Sequence, residues 1–142
     1  MDNDDAGEYP RLQHTVLDTT DVRSLAEFYR RLLGLVYRPG DEPAADNTAD
    51  DADWLVLTDS AGVRKLAFQQ VDELARATWP QPDVPQQLHL DMTVPDRAAL
   101  DRQRDRALAL GAELRLDRAD DPEEALYALA DPAGHTFCIF VA

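Results

Sequence analysis

The stretch His14–Gly34, HTVLDTTDVRSLAEFYRRLLG, decides the fold. Its first residues have strand character, and Asp21 stands where a helix N-cap belongs. Leu25, Phe28, Tyr29, Leu32 and Leu33 then recur at helical spacing until Gly34 stops the run. Beyond it, LVYRP reads as a short strand, Trp54 to Leu57 as a second and KLAFQQV as a third. The last two are joined by the turn Asp59, Ser60, Ala61, Gly62. The order is β-α-β-β-β. Between the first two of those strands lies the acidic loop GDEPAADNTADDAD, whose length signals either disorder or a lid over a site.

The same order returns in the second half. QLHLDMTV reads as a strand, and Asp96 caps a helix over RAALDRQRDRALALG with Leu100, Ala107, Leu108 and Leu110 on its apolar side. AELRLD, EALYALA and HTFCIFVA supply three more strands, and Asp131, Pro132, Ala133, Gly134 turn the chain between the last two. His14 precedes Asp21 by seven positions, as His89 precedes Asp96, and the two turns repeat at nearly the same offset. This pattern is that of a duplication. The expected fold class is α+β: two βαβββ modules, residues 10–71 and 86–142, curled into a mixed-sheet cup with the helices outside. A connector over 72–85, interrupted by Pro80, Pro82 and Pro85, joins them into one domain over 10–142. Residues 1–9 read as a frayed, disordered N-terminus.

A chain of 142 residues, 44% of them hydrophobic, can bury one core without disulfides. Its net charge of -14, from 28 acids against 14 bases, repels phosphate backbones and argues against nucleic-acid binding. The acidity reads first as solubility and second as attraction for a cationic ligand. No run approaches the roughly 18 apolar residues of a membrane helix. Cys138 is the single cysteine, and no signal-peptide pattern is present, so the cytoplasm is the expected location.

Taken together, HTVLDTTDVRSLAEFYRRLLG, LHLDMTVPD and DPAGHTFCIF resemble the vicinal oxygen chelate superfamily, which includes glyoxalase I, bleomycin-resistance proteins, fosfomycin-modifying enzymes and extradiol dioxygenases. LAFQQV, the Trp-Pro connector and QLHLDM look most like its small glyoxalase-like members. The resemblance covers about residues 10 to 142 and implies the cup fold and a homodimer. In metal-dependent members four ligands project into the cup, one from the first and one from the last strand of each module. His14 and His89 match the first-strand positions. The others are commonly carboxylates, and this sequence departs at both. The second-module position falls on Cys138. The first-module position falls on Leu66 by counting from Gly62, or on Ala67 if Leu66 and Phe68 match Phe137 and Ile139 as the core face.

Two readings therefore stand. In one, His14 and His89 hold zinc, nickel, iron or manganese, with Cys138 as a further donor, in a lyase, isomerase or dioxygenase. In the other, preferred here, they line a metal-free cup that sequesters an aromatic or cationic small molecule, as drug-binding relatives do. The missing carboxylate, which serves as base in glyoxalase-type relatives, argues against ordinary glyoxalase I activity, and no catalytic residue is identified. Trp54, Trp79 and Tyr127, with Phe68, are candidates for stacking on a planar ligand. Gln69 sits among apolar residues and needs either a ligand or a backbone partner. Cys138 is a ligand or a small buried hydrophobe. His135, just after the turn glycine, is an exposed residue or a rim residue.

Overall fold

In the computed structural model, which describes residues 7–46 and 48–142, the expected order of elements is realised twice. The first unit comprises β1 (Thr15–Thr19), α1 (Val22–Leu33), β2 (Val36–Tyr37), β3 (Trp54–Thr58) and β4 (Arg64–Gln70). The second comprises β5 (His89–Val94), α2 (Arg97–Ala109), β6 (Glu113–Arg118), β7 (Leu126–Ala130) and β8 (Thr136–Val141). Each unit makes its own four-stranded sheet, ordered β1-β4-β3-β2 and β5-β8-β7-β6. The β1–β4 and β5–β8 pairs are parallel and the remaining neighbours antiparallel. A parallel pair needs a long crossover, and α1 and α2 begin those crossovers.

Local chemistry sets the helix ends. The Asp21 carboxylate accepts from the Ser24 amide at 3.2 Å, and that of Asp96 from the Ala99 amide at 2.8 Å. Gly34, left-handed at φ 68°, closes α1. At the N-terminus of α1 the Gln70 side chain accepts from the Val22 amide at 2.9 Å and donates to the Thr20 carbonyl at 2.6 Å. The apolar pattern overreaches at three points. Leu12 is exposed and β1 begins at Thr15, while Leu33 and Leu108 face solvent. The N-terminal expectation is only partly covered: residues 1–6 lie outside the described residues, and 7–9 are irregular and exposed.

One core runs through both units. Leu25, Phe28, Tyr29 and Leu32 of α1 are buried with Leu17, Leu55, Leu66 and Phe68 of the first sheet, and Phe28 and Tyr29 also meet Phe137 of the second at 5.8 and 6.2 Å between ring centroids. Fully burying each such side chain is worth ~1.5–3 kcal/mol. At the centre of this joint the Tyr29 hydroxyl donates to Asp131 Oδ2 at 2.6 Å, and neither residue is exposed. Asp131 Oδ1 accepts from the Ala133 and His135 amides at 2.9 and 3.0 Å. Burial pushes the Asp131 carboxyl up from its ordinary value against the pull of these donors, and pushes the Tyr29 phenol well up.

The described part of the acidic loop is strapped to the first unit rather than left free. Arg23 donates to the Asp41 carbonyl and to the Asp50 carboxylate, both at 2.6 Å, while Asp41 Oδ2 accepts from the Val56 amide at 2.9 Å and pairs with Arg38. Solvated acids could not hold a loop by themselves; two arginines and one strand amide give these a fixed place.

Candidate functional site

Strand register separates the core faces from the faces that would line a cup. In the first sheet Leu66 and Phe68 belong to the core, so Ala67 and Gln69 point the other way. Ala67, not Leu66, therefore occupies the position matching Cys138. Across the strands, Val16, Ala67 and Val56 form one row and Asp18, Gln69 and Trp54 the next. In the second sheet Asp91, Cys138, Ala128 and Leu116 form the corresponding row.

His14 directly precedes β1, and His89 is the first residue of β5, so the two keep equivalent places. Their surroundings differ. The His14 ring meets Trp54 at 6.1 Å between centroids. Because β1 and β3 run in opposite senses, His14 and Trp54 start on opposite sides of the Val16–Ala67–Val56 row and meet above it. Ala67 and Val56 are accordingly fully buried although they lie off the core face. His14 Nδ1 is buried without a hydrogen-bond partner, and burial, followed by the Arg64 and Arg38 guanidinium groups, pushes its pKa down. His89, in contrast, is exposed and lies 3.5 Å from the Asp91 carboxylate, a surface pair of little energetic worth.

A divalent metal does not fit this donor set. Ala67 offers no donor, two guanidinium groups oppose a cation near His14, and among the described residues no three His, Cys, Asp or Glu side chains gather as a metal-binding group. Cys138 does not join His14 and His89. It is half-buried beside Asp91, and burial, then Asp91 and Glu124, push its thiol up, away from the thiolate that a metal needs. Tyr127 likewise faces the core rather than an open cup. It lies in the core with Ile139 as its register partner, and its hydroxyl donates to Asp101 at 2.8 Å and accepts from Arg104 at 2.9 Å. Phe68 is core as well, stacked on Tyr29. Trp79 is half-buried in the connector, before the cis peptide bond to Pro80.

Gln69 fares differently. Its neighbour Gln70 takes the backbone bonds, while the Gln69 side chain makes no hydrogen bond among the described residues; it is exposed rather than buried, so it needs no partner, and it borders a hollow of about 310 Å³. Val16 and Asp18 of β1 line the hollow with it. The connector adds Leu74, Ala77 and Pro85, with Gln87 and Leu88 before β5, and the β7–β8 turn adds Ala133, Gly134 and His135. Two ties hold the turn there: the Arg76 guanidinium donates to the Pro132 carbonyl at 2.7 Å, and His135 Nε2 lies 2.7 Å from the Asp18 carbonyl. A carbonyl only accepts, so Nε2 carries the hydrogen and Nδ1 of a neutral ring is left as an acceptor. The sequence reading missed Asp18, Leu88 and the turn as site residues. Only the placement of His135 after the turn glycine hinted at them.

A pair of βαβββ units around one core, with paired histidines at the strand starts, defines a two-module α+β cup protein. A family model for the glyoxalase-like domain matches residues 14–140, and the chain belongs to that family, within the vicinal oxygen chelate superfamily. Solved structures agree on the fold. A glyoxalase-related enzyme from Fulvimarina pelagi superposes with a TM-score of 0.64 at 20% identity, over 94% of this chain and 89% of that one. The fosfomycin resistance protein FosX from Mesorhizobium loti gives 0.63 at 16% identity, over 95% and 94%. A glyoxalase/bleomycin resistance protein/dioxygenase family enzyme from Burkholderia phytofirmans PsJN gives 0.63 at 16%, over 91% and 96%. No curated protein sequence matches the chain. Among the described residues no helix is long and apolar enough to cross a membrane.

Proposed function

We propose that this protein binds a small molecule in the hollow between β1, β4, the connector and the β7–β8 turn, and that its preferred ligand is a protonated amine carrying an apolar group. The lining itself carries the reading. Asp18 is the one carboxylate there, no lysine or arginine accompanies it, and it has no ion-pair partner among the described residues. His135 Nδ1 adds an acceptor, and the Gln69 and Gln87 amides can accept as well as donate, so Asp18 and His135 tip the polar part of the wall toward N–H donors. Leu74, Leu88, Val16 and Ala133 supply apolar surface. The volume lies at the lower end of the ~300–1,000 Å³ usual for ligand pockets. Sequestration of such a ligand works by mass action and asks for no catalytic group. The cytoplasmic location and the homodimer remain expectations that accompany this reading.

Isothermal titration with benzylamine, before and after Asp18→Asn, tests it. The substitution keeps shape and removes charge, so binding should weaken about tenfold or more. If metal-stripped protein ignored amines but gained melting temperature with zinc or nickel, the metal-dependent alternative would take its place.

A further inference from the structure

A second hollow, of about 590 Å³, lies away from the first, between the C-terminal end of α1 and the face of α2, floored by the end of β5. Its charged lining is Arg31, Arg102 and Arg106, with no acid among the lining residues, in a chain that has twice as many acids as bases. An adjoining hollow extends the basic surface through Arg30, Arg31 and Arg106.

The three arginines are not equally committed. Arg106 donates to the Arg31 carbonyl at 2.8 Å and to Gln103, which ties α2 to the end of α1. The side chains of Arg31 and Arg102 make no hydrogen bond or ion pair among the described residues. Arg31, in the last turn of α1, also offsets the negative end of that helix. Arg102 sits in the middle of α2, where no such need exists. The floor beneath them is apolar: Leu32, Val94, Ala99 and Ile139 are buried, Met92 is partly buried, and Leu33 is 39% exposed at the rim.

We infer that this arginine-lined cleft binds a small anion with an apolar tail, its carboxylate or phosphate held by Arg31 and Arg102 and its tail lying over Leu33 and Met92. Guanidinium forks match either head group in two-point fashion, and the fixed Arg106 adds a third positive charge without having to move. An exposed leucine beside two unpaired arginines is the complement of an amphiphile rather than of a bare ion. This site is independent of the amine reading, since the two hollows share no lining residue.

The test is titration of the full chain with sodium octanoate, octyl phosphate and octan-1-ol, followed by backbone-amide NMR, in the wild type and in R31Q/R102Q. Both anions should shift Leu33, Gly34, Met92 and Thr93, and octan-1-ol should not. The double substitution should weaken binding about tenfold or more, while the melting temperature falls by only a few degrees, about what losing the Arg31 charge at the end of α1 costs. A preference between octanoate and octyl phosphate identifies the head group. The inference is overturned if octan-1-ol shifts the same amides equally, if R31Q/R102Q binds the anions as the wild type does, or if the cleft amides respond only to protein concentration. The last result would make the cleft an interface between copies of this chain.

Discussion

The Asp59–Gly62 and Asp131–Gly134 turns are built alike and do different work. In each, the glycine amide donates to the aspartate carbonyl, at 3.0 and 2.8 Å, and the aspartate amide donates to the carbonyl four residues on, at 2.9 and 2.8 Å. In each, aspartate Oδ1 accepts from two amides of its own turn. The first turn ends there, in solvent. In the second, Asp131 and Gly134 are buried, Asp131 takes the Tyr29 hydroxyl on its remaining oxygen, and the turn forms one wall of the 310 Å³ hollow. A duplicated turn became a joint between the modules in one copy and stayed a turn in the other. The helix explains the asymmetry: at the α2 position matching Tyr29 stands Arg104, which bonds Asp105 and Tyr127 instead.

The sharpest way to break this comparison is to remove the two aspartates in turn. Asp131→Ala strands the buried Tyr29 hydroxyl and two half-buried amides and should cost ~2–4 kcal/mol, whereas Asp59→Ala, at a largely exposed turn, should cost ~1 kcal/mol or less by chemical denaturation. Equal costs would show that the joint is not special. Tyr29→Phe isolates the cross-module bond. It leaves Asp131 Oδ2 buried without its donor, for an expected loss of ~1–3 kcal/mol.

The glycines extend the test. Both have positive φ, 85° at Gly62 and 96° at Gly134, so alanine is strained at either. A Cβ at Gly62 meets open space, but at Gly134 it meets the Arg76 Cβ at 3.0 Å and the Arg76 Cα at 3.2 Å. Gly134→Ala should therefore destabilise more than Gly62→Ala by ~1 kcal/mol or more, and it should also weaken ligand binding, because Arg76 holds the turn against the hollow.

A pH difference should follow as a smaller effect. Asp131 is raised in the fold, chiefly by burial. A raised carboxyl contributes fully below its unfolded value, and that contribution is lost as pH rises through the folded one. Asp131→Asn cannot ionise, so its stability should gain on the wild type as pH rises from about 4 toward neutrality, the unfolded value being near 3.9. A difference that stays constant with pH would remove burial as the cause. Cys138 gives the mildest contrast. Its raised thiol should react with iodoacetamide more slowly than free cysteine at pH 8, and Asp91→Asn should speed it by removing a nearby negative charge.

The fold was legible because its signals are local: two capping aspartates, helical spacing of Leu25 to Leu32, and repeated Asp-x-Ala-Gly turns. The site was legible only in part. Gln69 follows from strand parity, a periodic property, whereas His14 and His89, expected from the repeat and the resemblance, do not line the hollow. Asp18, Leu88 and His135 come together through the path of an irregular connector and through a joint between Tyr29 and Asp131, 102 positions apart, and no short-range pattern encodes either. Tyr127 misled for a related reason. Its polar hydroxyl suggests a wet site, but α2 brings Asp101 and Arg104 over the core to satisfy it.

The proposed small-molecule site is enclosed by the second module's β7–β8 turn and the first module's open strand face together with the connector. Backbone-amide NMR during a benzylamine titration tests it most directly. Shifts concentrated at Asp18, Gln69, Leu74, Leu88 and Gly134, drawn from both modules and the connector, are the expected result. Shifts confined to one module, or centred on His14 and Cys138 and appearing only with added zinc, would contradict it.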